Sequence, residues 1–341
     1  MFSGKGHGAR NSPCSWTVNF LAFLLILAAS LLSTGCTVVE HVGIALLYMK
    51  APFPDAQVKY DVPYVEHSLL AKQRLDLFLP KGKNWPVFIF VHGGNWDAGD
   101  KGLRVGGEDV YGNIGRFYAA RGVGVAVISY RLQPAVNWHE QVKDVAAATA
   151  WVHAHIAEYG GSPHRLFLGG HSAGAQLACH VALDPKPLAE YGLSPAIIRS
   201  VISVSGAGLD LADQKTYDLG AKRAFYTARF GSKDPRESWQ QEASPVSYVT
   251  SNAPAFLILY AAGESKALQR QSQRLSEVLE RERVPHRLVV VPGQSHERMV
   301  LTLSRPDRTS AGAILDFIFE TAQKNFEAQP VSGMTHVDPG S

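Results

Sequence analysis

Apolar residues in this chain gather into short continuous runs, each ending in glycine or a polar residue. The clearest are "VFIFVHGG" (87–94) and "GVAVISYR" (124–131), built from β-branched and aromatic side chains. Runs of this kind suit strands buried on both faces of a parallel sheet, since neither face alternates to polar. Further strands are predicted over 165–169, 199–205, 255–261 ("AFLILYA") and 287–291, while "RLDLFLP" (74–80) alternates like a half-buried strand. Helical stretches over 109–121, 138–158, 266–283 and 308–322 lie between these runs or close the series. Strand and helix in alternation predict an α/β fold with a mostly parallel, doubly wound sheet and right-handed crossovers.

One interval departs from that rhythm. Residues 207–252 contain no clear strand but carry Tyr217, Phe225, Tyr226, Phe230 and Trp239. They are read as a lid inserted over the strand ends.

The amino-terminal region has a different pattern. Lys5 and Arg10 precede a stretch from Asn11 to Val39 without a charged residue, containing the apolar "FLAFLLILAASLL" (20–32) and then "STGC" (33–36). A positive start, an apolar centre and small residues are the layout of an export signal. The cysteine directly after the small residues resembles a bacterial lipobox, with Ser33 where a leucine is usual. The resemblance implies a signal peptide over 1–35 and lipidation of Cys36, hence an exported lipoprotein anchored to the outer membrane or cell envelope. An uncleaved anchor helix is the alternative, because the apolar stretch approaches the ~20 residues that span a bilayer. The remaining organisation reads as a lead-in or tether over 36–66, a catalytic domain over 67–325 and a flexible tail over 326–341.

Composition adds little but excludes some classes. The chain has 341 residues, 46% hydrophobic and 18% charged, with a formal net charge of +3. That composition can bury a large core, and no Lys/Arg run marks a nucleic-acid surface. Of the three cysteines, Cys14 falls in the signal and Cys36 at its end, which leaves Cys179 as a small buried residue and no disulfide framework.

Candidate chemistry centres on "RLFLGGHSAGAQLACHVAL" (165–183), a strand that turns sharply into a helix with Ser172 at the tip. Such a turn lifts a serine hydroxyl out of the sheet, and the positions two before and two after it must be small, as Gly170 and Gly174 are. A serine needs a base. In "VVVPGQSHERMV" (289–300) a strand ends, turns at Pro292-Gly293 and presents His296 in a loop after the last strand, where the chain order Ser, acid, His requires it. Among the other histidines, His153 and His155 are two apart on a helix and face different directions. His171 sits inside the turn and His180 on the helix that follows it, and His92 orders its own loop, so no metal site is read. Glu264, just past the Ala262-Gly263 turn, is the acid expected to orient the imidazole, with Asp210 and Asp213 as rivals. "VHGGNWDAGDK" (91–101) places glycines at another strand end, where backbone N–H groups can face an oxyanion, together with that of Ala173.

With these residues the chain resembles an α/β-hydrolase esterase of the hormone-sensitive-lipase-like group. More narrowly it is similar to the arylformamidase and isoprenylcysteine-methylesterase-like branch, whose HGGxW motif matches His92-Gly93-Gly94-Asn95-Trp96; "GHSAGA" (170–175), "SYRL" (129–132) and "RQSQRL" (270–275) also match. The resemblance covers about residues 70–322 and implies a sheet of about eight strands with a small helical lid. It also implies oxyanion N–H groups on Gly94 and Asn95, and hydrolysis of a small carboxylic ester through an acyl-enzyme without metal or organic cofactor. It departs from the family in having glutamate rather than aspartate at 264. An arylformamide substrate and a non-catalytic binding module are the alternative functions. Oligomeric state is not legible.

Overall fold

Eight strands form the central sheet of the computed structural model, which describes residues 50–105, 107–231, 238–306 and 308–323. The described residues belong to the unit Tyr48–Ser341. The expected signal, Cys36 and the C-terminal tail lie outside them.

The strands are β1 (Val58–Pro63), β2 (Arg74–Phe78), β3 (Trp85–Val91), β6 (Gly124–Ile128), β7 (Gly161–His171), β8 (Ile198–Val204), β9 (Ala255–Ala261) and β10 (His286–Val291). Two-residue strands β4 (Arg104–Val105) and β5 (Glu108–Asp109) make a separate small ribbon. The sheet order is β1-β2-β6-β3-β7-β8-β9-β10. From β6 to β10 every neighbouring pair is parallel, and β2 runs antiparallel to both β1 and β6. The main helices are α1 (Val110–Ala119), α2 (Trp138–His155), α3 (Ala173–Leu183), α4 (Gln214–Asp218), α5 (Arg223–Phe230), α6 (Lys266–Arg281), α7 (His296–Thr302) and α8 (Thr309–Ala322).

All seven residues of β3 are buried, and their period of two divides them between the faces. Val87, Ile89 and Val91 join the core containing Val145 of α2 and Leu177 of α3. Phe88 and Phe90 join the opposite core with Ile114 and Phe117 of α1 and Phe317 of α8. This is why the run carries no polar alternation: both faces are covered by helices.

The boundary read at 66/67 is too late for the sheet. Strand β1 lies inside the segment expected to be a tether, and pairs Val58 with Phe78 and Pro63 with Arg74. It is an edge strand with Lys59, Tyr60 and Asp61 exposed, so its polarity hides it from a reading based on apolar runs. The predicted strand at 165–169 extends over Gly161–His171. In the 207–252 interval, α4, α5, a helical turn at Trp239–Glu242 and a 3-10 turn at Pro245–Tyr248 follow one another. Tyr226 and Phe230 are buried there against Trp96.

Candidate active site

Ser172 is the single residue between the end of β7 and the start of α3. Its backbone sits at φ 55°, ψ −119°, a left-handed conformation that costs a non-glycine residue about 1–3 kcal/mol and persists only where the surroundings over-determine it. Here they do. The Ser172 amide donates to Val204 O of β8 (3.0 Å), and its carbonyl accepts from Ala175 N (3.1 Å) and Ala207 N (3.3 Å). The flanking glycines are demanded by close approach: a Cβ on Gly170 would lie 2.4 Å from Val91 O, and one on Gly174 2.3 Å from both Val91 O and His92 O. The G-x-S-x-G spacing is thus the footprint of β3 pressing on the turn.

The sequence placed His296 in a loop; it is instead the first residue of α7, because Ser295 caps that helix by accepting from Arg298 N. The effect is to fix the imidazole between two partners. Nε2 lies 2.9 Å from Ser172 Oγ and Nδ1 lies 3.1 Å from Glu264 Oε2. The Glu264 side chain is 0% exposed and that of His296 17%. Glu264 Oε1 is buried and has no partner among the described residues. The loops carrying acid and histidine are tied together, since Gly263 N donates to Gln294 O (2.9 Å) at an approach that would leave a Cβ 2.7 Å from that oxygen. Gln269 of α6 secures the acid's backbone by donating to the carbonyls of Ala262 and Glu264 (both 2.9 Å).

The rival acids are engaged elsewhere. Asp210 Oδ2 accepts from Arg274 Nε (2.8 Å) and Asp213 Oδ2 from Arg270 Nε (2.8 Å). The "RQSQRL" helix therefore clamps the start of the inserted segment, with Gln271 bonded both ways to the Asp210 backbone.

His171 lies next to the catalytic candidates. Its Nε2–H donates to the His296 carbonyl (2.9 Å), and the two rings are 4.8 Å apart. Burial, and then the neighbouring His296, push its pKa down to about 3. It is neutral at pH 7 and does not oppose positive charge on the next ring.

The loop after β3 is unusual in its backbone. Gly94 (φ 123°), Asn95 (φ 53°) and Trp96 (φ 65°) are consecutive residues at positive φ. Two carbonyls set the direction of two N–H groups, because C=O and N–H of one trans peptide point opposite ways. Gly93 O accepts from His92 Nδ1 (2.7 Å), which directs the Gly94 N–H away from that ring. Gly94 O accepts from Asp97 N (3.1 Å) and Ala98 N (2.9 Å), which turns the Asn95 N–H outward. His92 is buried, its ring stacked on Tyr130 at 4.4 Å, and burial lowers its pKa to about 4. Among the described residues the amides of Gly94, Asn95 and Ala173 donate to no protein acceptor. Trp96 Nε1 donates to Gln176 of α3 (3.0 Å), and Gln141 of α2 donates to Trp96 O (2.6 Å). The motif pattern marked Trp96, but the glutamines and the Arg229 contact described below carry no pattern of their own.

Cys179 is buried on α3, where burial pushes its thiol up to about 12. His155 pairs with Glu158 rather than with His153. The described residues contain no group of three or more His, Cys, Asp or Glu side chains able to hold a metal ion.

Sheet order and flanking helices define the α/β-hydrolase fold. A family profile described as BD-FAE matches residues 75–279, and the chain belongs to that family of hormone-sensitive-lipase-like hydrolases. It is 28% identical over 260 residues to an Arabidopsis thaliana protein named probable isoprenylcysteine alpha-carbonyl methylesterase, covering 70% of this chain and 52% of that one. A Mycobacterium tuberculosis protein named probable carboxylic ester hydrolase is 30% identical over 192 residues, 55% of this chain and 43% of its own length. The chain thus spans about half the length of these curated relatives. Among solved structures, esterase B from Lactobacillus rhamnosis superposes with a TM-score of 0.65 at 20% identity, covering 87% of this chain and 94% of that one. A truncated carbohydrate esterase from gut microbiota gives 0.66 at 22%, covering 81% and 100%.

Proposed function

We propose that this chain is a carboxylesterase-type serine hydrolase in which Ser172, His296 and Glu264 form the catalytic triad. The observation that carries the reading is the unbroken relay from Ser172 Oγ through His296 to buried Glu264. His296 Nε2 takes the hydroxyl proton as Ser172 Oγ attacks the ester carbonyl carbon. Glu264 accepts from Nδ1–H, which fixes the tautomer and favours the imidazolium that forms. The carbonyl oxygen becomes an oxyanion that receives the N–H groups of Gly94, Asn95 and Ala173. Collapse breaks the C–O bond to the alcohol, which leaves with the proton from His296. A water, deprotonated by the same ring, then releases the acid from Ser172. No step calls for a metal or organic cofactor.

The names its relatives carry support a small carboxylic ester, in preference to an arylformamide, as the substrate class. Ser172→Ala tests the nucleophile. It should abolish ester turnover and fluorophosphonate labelling while the protein stays folded, and persistent labelling would place the nucleophile elsewhere. A panel of p-nitrophenyl esters of graded acyl length beside N-formylkynurenine decides between ester and formamide. A wild-type protein inert to all of them would support a binding module.

The proposal extends to location. The uncharged stretch over 11–39 and the small residues before Cys36 support export and lipidation, with the catalytic domain tethered to a membrane outside the cytoplasm. Mass spectrometry of the membrane fraction should find a mature chain beginning at lipid-modified Cys36. An intact Met1 start, or soluble protein with an unmodified Cys36, would overturn it.

A further inference from the structure

We propose that Arg229, on α5 of the inserted segment, is a positioning residue that sets the oxyanion loop. The inference deepens the esterase reading and rests on it. The loop holds Asn95 and Trp96 at positive φ, so it needs restraints beyond its own turn. Arg229 supplies them at two points. Its Nε donates to Asn95 O (2.8 Å) and its Nη2 to Asp97 Oδ2 (2.5 Å). Asp97 N in turn donates to the Gly94 carbonyl (3.1 Å), whose peptide carries the Asn95 N–H. One guanidinium edge therefore grips both ends of the turn that aims an oxyanion donor.

The grip is itself prepared. The guanidinium lies 3.8 Å over the Phe225 ring, one helical turn earlier on α5, with its side chain 17% exposed. The Arg229 carbonyl accepts from Gln133 Nε2 (3.1 Å), and Gln133 N donates to Trp96 O (3.0 Å). A closed circuit of hydrogen bonds thus joins α5 to the carbonyls of Asn95 and Trp96. Phe230, the next residue, packs edge-on against Trp96 at 4.8 Å. A lysine has one point charge and cannot serve two fixed acceptors with a planar fork while lying flat on a ring. The inserted segment thereby belongs to the machinery that shapes the oxyanion hole. Arg229 touches neither Ser172 nor His296 and acts through the loop.

The test is steady-state kinetics with p-nitrophenyl butyrate on the full chain carrying Arg229→Ala, Arg229→Lys or Asp97→Asn. Deleting an oxyanion donor costs about 10²–10³ in kcat, so misaiming one should cost about 10–100-fold in Arg229→Ala. KM should change by less than about threefold, the signature of an interaction made in the transition state. Inhibition by a trifluoromethyl ketone, which forms an anionic adduct on the serine, should weaken by the same factor as kcat/KM. Arg229→Lys should resemble Arg229→Ala, and Asp97→Asn, which keeps the Asn95 bond, should lose less. A folded Arg229→Ala with wild-type kcat, or a rise in KM alone, would overturn the proposal. If Arg229→Ala does not fold, Arg229→Lys decides by the same criteria. A wild-type chain that turns over no ester and takes no fluorophosphonate label would overturn the esterase reading, and this inference with it.

Discussion

At the scale of single residues, the acid is the position for which the sequence offered rivals, Asp210 and Asp213 beside Glu264. Glu264 is fully buried with one oxygen on His296 Nδ1, and Asp210 and Asp213 are held by arginines. Glu264→Gln should therefore lower kcat by up to about 10⁴, because an amide there favours the wrong tautomer. Glu264→Asp, one methylene shorter, should retain part of the activity. Asp210→Asn should leave kcat near wild type while lowering stability through loss of the Arg274 pair. The reverse pattern, with Glu264→Gln active and Asp210→Asn dead, would move the acid to Asp210. Ser172, His296 and Glu264 could be picked out in the sequence because each sits at a strand end whose run of apolar residues is visible. Arg229 and Gln133 could not: their roles depend on which carbonyls face them across 134 residues in one case and 96 in the other, and no local spacing encodes that.

At the scale of elements, the strand–turn–helix around Ser172 depends on a backbone contact that tolerates no Cβ. A methyl group on Gly174 would meet Val91 O and His92 O at 2.3 Å, and both contacts are backbone, which cannot swing aside. Gly174→Ala should therefore destabilise the fold by about 1–3 kcal/mol, the usual cost of overpacking, and lower kcat by displacing the serine. Urea denaturation beside ester turnover measures both, and wild-type values in each would show that the turn has slack. Close packing of this kind also explains why the buried strands were legible and β1 was not. Strands β3 and β7 to β9 are covered on both faces, so burial forces continuous apolar runs. Strand β1 has a neighbour on one side only and exposes Lys59, Tyr60 and Asp61, so little in "VKYDVP" distinguishes it from a loop. The carboxyl-edge positions of the site came with the legible strands; the insertion's helices, short and packed by scattered aromatics, did not.

At the scale of the whole molecule, the sheet brings two neutral histidines into its interior beside the elbow, and this makes stability depend on pH. His171 is held near pKa 3 and His92 near 4, in both cases chiefly by burial, against about 6.5 in the unfolded chain. Both folded-state values are depressed, so between these limits the unfolded state binds more protons than the native state. The contribution is fully present above about pH 6.5 and is lost as pH falls through the window toward 4 and then 3. Each histidine adds a slope of up to about 1.4 kcal/mol per pH unit inside its window. Most carboxylates titrate below about pH 4.5, which leaves pH 6.5 to 4.5 as the interval in which the histidines dominate. Unfolding free energies from urea titrations at half-unit steps across that interval should therefore fall steeply for the wild-type chain. Replacing His171 with Gln keeps a side-chain donor for the His296 carbonyl but removes the titrating ring. The variant should be less stable at pH 7, yet its curve should be shallower between pH 6.5 and 4.5, converging on the wild type as the medium becomes acidic. Parallel curves would mean that His171 takes up its proton in the folded state as readily as in the unfolded one, contrary to its burial between the elbow and His296.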